Sequence, residues 1–218
     1  MADYTAARMN MVDSQIRTNK VTDATVIAAF ESIPREAFVP DRLAAVAYVD
    51  YNLPLGNGRY VMEPMVLARL LQAARPGPAD VVLEVGCGTG YATAILARLA
   101  ATVVALESDS DMAARAAKTL ADLDIENALV VQGPLAAGWP AQAPYGMILI
   151  NGAVPEVPPA IHRQLADGGR LVTILQPGNG QGRGILMQRH GDVAASRALF
   201  DTEMPVLPEF AREPGFVF

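Results

Sequence analysis

Apolar runs alternating with stretches of helical spacing predict an α/β fold for this chain, and three observations carry the prediction. The run Val81–Val85 stops at Gly86, Gly88 and Gly90, and from Tyr91 to Leu99 the apolar residues recur at helical spacing, the mark of strand, tight turn and helix. The same alternation returns at Thr102–Leu106, Ala128–Gln132 and Gly146–Ile150, with helical stretches between them. Two later runs, Arg170–Leu175 and Ile185–Arg189, are joined through the glycine-rich 177–184 as a hairpin. Together they describe a Rossmann-like, mostly parallel, doubly wound sheet with a late antiparallel strand, preceded by an N-terminal helical extension.

The elements follow in order. Residues 3–17 have apolar groups at helical spacing, with Met9, Val12 and Ile16 on one side, and predict an amphipathic helix. Thr22 or Asp23 caps a second helix that runs to Ser32 and ends at Ile33-Pro34. Pro34 to Pro40 is punctuation, followed by a short helix over 41–48. Gly56-Asn57-Gly58 between short extended runs predicts a hairpin or tight loop. A helix over 64–74 then meets the break at Arg75-Pro76-Gly77-Pro78. The expected units are therefore 1–75, the helical extension with its loop, and 76–218, the α/β domain, in one compact body. Beyond the glycines, helices are expected over 109–123 and from Pro158 to 167–169, and a last strand at 215–218 or just before it.

Composition narrows the function. With 218 residues, 51% of them hydrophobic and 18% charged, the chain buries a full core. A net charge of −6 and an isoelectric point near 4.9 give no broad basic face, so no nucleic-acid partner is expected. No charged segment followed by an apolar one opens the chain, and no apolar run reaches the roughly 18 residues that span a bilayer. A soluble cytoplasmic protein without a membrane partner is the expectation. One cysteine excludes an internal disulfide, and two separated histidines make no metal cluster. Cys87 reads as a small loop residue, and His162 and His190 as surface or capping residues.

The glycine loop carries the chemistry. Its turn needs backbone angles that a Cβ resists, and a ligand must come close to its main chain. The next helix points unpaired N–H groups into the same crevice. Glu107 ends the following strand, at about the 20-residue distance where an acid holds a ribose. In the dinucleotide fingerprint the third glycine stands one position later, where this chain has Tyr91, which weakens the reading as a nicotinamide oxidoreductase. Glu84 and the run Gly86-Cys87-Gly88-Thr89-Gly90 instead resemble motif I of the class I S-adenosylmethionine-dependent methyltransferases.

Three further segments are similar to the protein-L-isoaspartate (D-aspartate) O-methyltransferases. They are Met11-Val12-Asp13-Ser14-Gln15-Ile16-Arg17, Pro34-Arg35-Glu36-Ala37-Phe38-Val39-Pro40 with Ala47-Tyr48 and Asp50, and Leu53-Pro54-Leu55-Gly56 leading to Pro64. The likeness extends over Val85–Leu96, 155–165 and 168–172, and so over most of residues 9–175. It implies a class I S-adenosylmethionine-dependent methyltransferase fold, S-adenosyl-L-methionine as cofactor, and a peptide or protein carboxylate, such as that of an isoaspartyl residue, as acceptor. It places the cofactor on Glu84, Gly86, Cys87, Gly88, Gly90, Glu107, Ser108, Gly133 and Pro134. Met62 stands where the family's loop has a serine that approaches the substrate, Gly133-Pro134-Leu135 where it has Gly-Asp-Gly, and Tyr145-Gly146 where it has Phe-Asp. Arg59 and Tyr60, a guanidinium fork and a phenol, are the candidates to bind the acceptor. A relative that binds the cofactor but uses another acceptor, or none, is the alternative reading.

Overall fold

The computed structural model describes residues 3–178 and 180–211. Its centre is a seven-stranded sheet in the order β5-β4-β3-β6-β7-β8-β9, with β3 Val81–Val85, β4 Thr102–Glu107, β5 Ala128–Gln132, β6 Tyr145–Val154, β7 Leu165–Leu175, β8 Arg183–His190 and β9 Val193–Asp201. The first five strands pair in parallel, and β8 and β9 return antiparallel. A separate two-stranded hairpin, β1 Leu53–Gly56 and β2 Arg59–Val61, turns at Asn57 and Gly58 with φ of +48° and +70°. Two successive positive φ values make the primed turn that Asn-Gly favours.

The pleat sorts the strands into two faces. Val82, Val103, Met147, Leu149, Val172 and Ile174 share one core with the helices α1 Tyr4–Met11, α2 Ala24–Ser32, α3 Pro64–Ala74 and α4 Tyr91–Ala97. Leu83, Val85, Val104, Leu106, Ile148, Ile150 and Leu171 face the other way, onto Leu135, Ile161, Leu207 and Phe210. The first core runs without interruption from the N-terminal helices into the sheet. The second is closed by short turns and by the segment after β9 rather than by a long helix. Strand order reverses beside β3, between β4 and β6, and a ligand crevice in such a sheet lies at the carboxyl ends there.

Several expectations are corrected. The helix over 3–17 is α only through Met11; a π turn at Val12–Ile16 and a 3-10 turn at Arg17–Asn19 follow, ending at Lys20 with φ +67°. The wider π turn shifts the phase, so Met11, Val12 and Ile16 are buried and Met9 is exposed. The helix over 41–48 is a 3-10 segment, Asp41–Val46. The helix expected to reach 167–169 is one turn, α6 Pro159–His162, because β7 begins at Leu165. The strand after β8 is β9, and residues 215–218 lie outside the described residues. Helix α5, Ser110–Asp122, agrees with expectation and is capped by Asp109. Among the described residues no helix is long and apolar enough to cross a membrane.

Arg170 of β7 holds the seam between α3 and the sheet. Its guanidinium meets Asp80 in a two-nitrogen fork, at 3.0 and 2.5 Å, and also donates to the carbonyls of Ala74, Arg75 and Gly146. Replacing it leaves a half-buried carboxylate and three carbonyls without their donor. Arg170→Ala should therefore lower stability by about 2–4 kcal/mol, read as a shift of the urea midpoint at constant slope, and Arg170→Lys should recover less than half because an ammonium cannot make the fork. A midpoint unchanged in Arg170→Ala would remove this role.

Candidate cofactor and acceptor site

Strand β4 sits between β3 and β5, buried from Val103 onward, so the carboxylate of Glu107 at its end is 0% exposed. A charge placed there needs donors from protein, and it gathers four within 3.1 Å. Oε1 accepts the Ser108 and Asp109 N–H groups at 2.8 and 3.1 Å. Oε2 accepts the Gly88 N–H and Arg59 Nη2, both at 2.6 Å. The first two shape the entry to α5, and the third sets the loop after β3. That loop turns on glycines with φ of +83°, +57° and +94° at Gly86, Gly88 and Gly90. At Gly90 a Cβ would also lie 3.2 Å from that of Ala116 on α5, so helix packing as well as backbone angle demands glycine.

Glu84, fully buried on β3, points to the helical face. Thr93 Oγ1 on α4 donates to one of its oxygens at 2.6 Å, and Asn151 Nδ2 on β6 to the other at 2.8 Å. Neither partner is apparent from the sequence: Asn151 lies 67 residues from Glu84 along the chain, and Thr93, nine residues on, reads as one more residue of the helix after the glycines. Asn151 had a signal: it is a polar residue interrupting the apolar run of β6 at its carboxyl end. Its Oδ1 is buried with no hydrogen-bond partner among the described residues. It lines a cavity of about 10 Å³ with Tyr60, Met62 and Cys87. Burial, with the charges of Glu84 and Glu107 nearby, pushes the Cys87 thiol well up, so it serves as a small loop residue rather than as a nucleophile.

The hairpin lies over these groups. Met62 is 1% exposed, and its carbonyl accepts Arg35 Nη2 at 2.9 Å. Arg35 is itself fully buried, also donates to the Ala47 carbonyl at 2.7 Å, and lies 4.7 Å from the centre of the Tyr91 ring. Tyr91 packs edge-on against Phe30 and Phe38. Tyr60 is half-buried, whereas Arg59 is 5% exposed and turned inward to Glu107. Ser108 and Pro134 follow β4 and β5, and the Gly133 N–H donates to the Glu107 carbonyl at 3.0 Å. The structure thus brings Glu84, Cys87, the glycines, Glu107, Ser108, Gly133 and Pro134 to neighbouring strand ends, with Arg59, Tyr60 and Met62 on the hairpin above.

This set fits a nucleoside cofactor that carries an ammonium group: an acid at the strand end, a close-approach glycine loop and an orphaned buried amide oxygen. The space itself is narrow, because Arg59 and Leu207 both reach Gly86.

Burial pushes the Glu84 carboxyl up to about 7, against the hydrogen bonds from Thr93 and Asn151; the Glu107 charge adds to the rise and Arg59 opposes it. The unfolded chain releases this proton near the ordinary 4.5, while the native state keeps it to about 7, so this group makes stability fall as pH rises between those values. Glu84→Gln should flatten that decline in urea midpoints measured from about pH 5 to 7; an unchanged slope would assign the decline to another group.

The family model for protein-L-isoaspartate(D-aspartate) O-methyltransferase matches residues 6–201. A protein-L-isoaspartate O-methyltransferase of Koribacter versatilis is 42% identical over 172 residues, covering 79% of this chain and 78% of that protein. One from Methanoregula boonei is 44% identical over 165 residues, covering 76% of each. A solved protein-L-isoaspartate O-methyltransferase superposes with a TM-score of 0.80 at 25% identity over 92% of this chain, which spans 65% of that longer one. A Plasmodium falciparum structure, described as a complex with S-adenosyl-L-homocysteine, shares the fold at a TM-score of 0.78 and 16% identity, covering 96% of this chain and 100% of that one. The chain belongs to the protein-L-isoaspartate (D-aspartate) O-methyltransferase family.

Proposed function

We propose that this chain is an S-adenosylmethionine-dependent methyltransferase that esterifies the carboxylate of isoaspartyl residues in peptides and proteins, as a cytoplasmic protein without nucleic-acid or membrane partners. The observation that carries the reading is the strand-end set of Glu84, the 86–90 loop and Glu107 in a chain that matches the family over residues 6–201. When bound, S-adenosylmethionine supplies an electrophilic methyl group. Glu107 with the Ser108 backbone would hold the ribose, Glu84 and Asn151 the charged amino-acid end, and Gly133 with Pro134 would flank the base.

The rest falls to the hairpin. A carboxylate acceptor is already an anion at neutral pH, so the chain needs no general base. It has to place the acceptor in line and strip it of water. Tyr60 and Arg59 remain the acceptor-binding proposal, and in this conformation Tyr60 is the more accessible of the two. Met62 contributes an apolar wall and no hydrogen bond. A second reading, a relative that binds the cofactor without transferring methyl to isoaspartate, is favoured by buried Met62 in the place of the family's serine.

Transfer of labelled methyl from S-adenosylmethionine to an isoaspartyl peptide, counted as base-labile ester beside the aspartyl peptide, separates the readings. Ester on the isoaspartyl peptide alone is expected; ester on neither, in a protein that binds S-adenosylhomocysteine, would establish the second reading. Met62→Ser restores a donor worth about 1.5–3 kcal/mol to a charged acceptor, so kcat/KM for that peptide should rise roughly tenfold or more. The same change should cost about 2–4 kcal/mol of stability through the lost buried side chain. An unchanged kcat/KM in folded Met62→Ser would show that this position does not touch the acceptor.

A further inference from the structure

The crevice at the strand ends is covered by the chain's own residues. From the hairpin, Arg59 Nη2 binds Glu107 at 2.6 Å, and a Cβ on Gly86 would lie only 2.9 Å from that nitrogen. Asn57 Nδ2 ties the hairpin's turn to Asp109 at 2.8 Å. From the other side, the segment after β9 crosses the ends of β3, β5 and β6. The Leu207 N–H donates to the Ala153 carbonyl at 2.9 Å, and Glu209 accepts the Leu135 N–H at 2.9 Å. The Leu207 side chain covers Gly152, where a Cβ would meet it at 2.4 Å, and reaches Gly86 as well. Pro208 lies against Gly58 of the hairpin turn, so the two covers touch each other.

We propose that these two pieces form a strap that closes the cofactor crevice from within, and that a nucleoside cofactor enters only by displacing Arg59 and Leu207. The proposal rests on reading this crevice as the cofactor site. Two observations distinguish a strap from ordinary core packing. The groups it engages are polar ones at strand ends, Glu107 and the Leu135 N–H, which in open sheets of this kind face ligands. And Arg59 brings a single positive charge to two fully buried carboxylates, Glu84 and Glu107, which need a cation whenever both are ionised. A cationic ligand and Arg59 therefore compete for the same field. A crevice open about one time in ten raises the apparent Kd about tenfold.

Calorimetric titration of S-adenosylhomocysteine into the full chain tests this, with Arg59→Ala and, separately, the double variant Leu207→Ala/Glu209→Gln, which keeps the Arg59–Glu107 pair. Both variants should bind about tenfold tighter than the unmodified protein. In the unmodified protein, saturation with S-adenosylhomocysteine should speed hydrogen exchange at the Leu207 amide, although bound ligands ordinarily slow exchange. Affinities equal within about twofold, with slower exchange at Leu207, would overturn the strap and leave the cofactor site standing. No binding by the unmodified protein or by either folded variant would overturn the cofactor site itself. Should Arg59→Ala fail to fold, the double variant decides the same question alone.

Discussion

A carboxylate at the end of a strand buried on both faces must find its donors within the protein, and Glu107 is placed so. Its hydrogen bonds do more than satisfy it. The Gly88 N–H can reach Oε2 only if the loop after β3 adopts its left-handed turns, so the glycines and the acid specify each other. The Asp109 N–H bond positions the residue whose side chain then caps α5. Arg59 draws the hairpin inward by the same oxygen that holds Gly88. One acid thereby fixes the loop, the next helix and the cover.

Glu84 plays the corresponding part across the switch point. Through Thr93 and Asn151 it joins β3, α4 and β6, the elements that diverge there. Arg35 extends the arrangement to the N-terminal helices. A buried guanidinium with no ion pair among the described residues is costly; burial lowers its hold on its proton, the Asp50 charge opposes that, and carbonyls and an aromatic face supply the direct contacts. Because one of those carbonyls belongs to Met62, the end of the hairpin is held by the same contacts that bury the extension against the sheet.

Most of the sheet was legible in the sequence for a physical reason: strands covered on both faces read as continuous apolar runs, and those of β3, β4 and the middle of β6 are nearly unbroken. The loop and Glu107 were legible because backbone angle and ligand approach restrict which residues stand there. What escaped was set by tertiary context. The π turn at Val12–Ile16 leaves no mark in spacing and shifted the buried face from Met9 to Met11. Strand β9 is mostly exposed, with small and polar residues from Val193 to Arg197, so its pairing with β8 rather than its apolarity makes it a strand. Asn151, Leu207 and Glu209 reach the crevice from distant parts of the chain. The inward turn of Arg59 depends on Glu107 being buried, which spacing does not reveal.

Two residues of the hairpin act on one face of the site. Met62 packs an apolar side chain into the core, and Arg59 brings a charge that finds its partner beneath the hairpin. Each favours a hairpin pressed onto the crevice, one through apolar burial and the other through an ion pair protected from water. On the reading proposed above, the groups below, Glu84, Asn151, the glycine loop and Glu107, recognise a nucleoside with a charged tail, and recognition and access fall to different elements: the strand ends would hold the first, and the hairpin with the segment after β9 would govern the second. A sequence can drift far in the cover while the sheet beneath it still meets the same ligand, because the cover contributes to the free energy of opening and the strand ends to the free energy of binding.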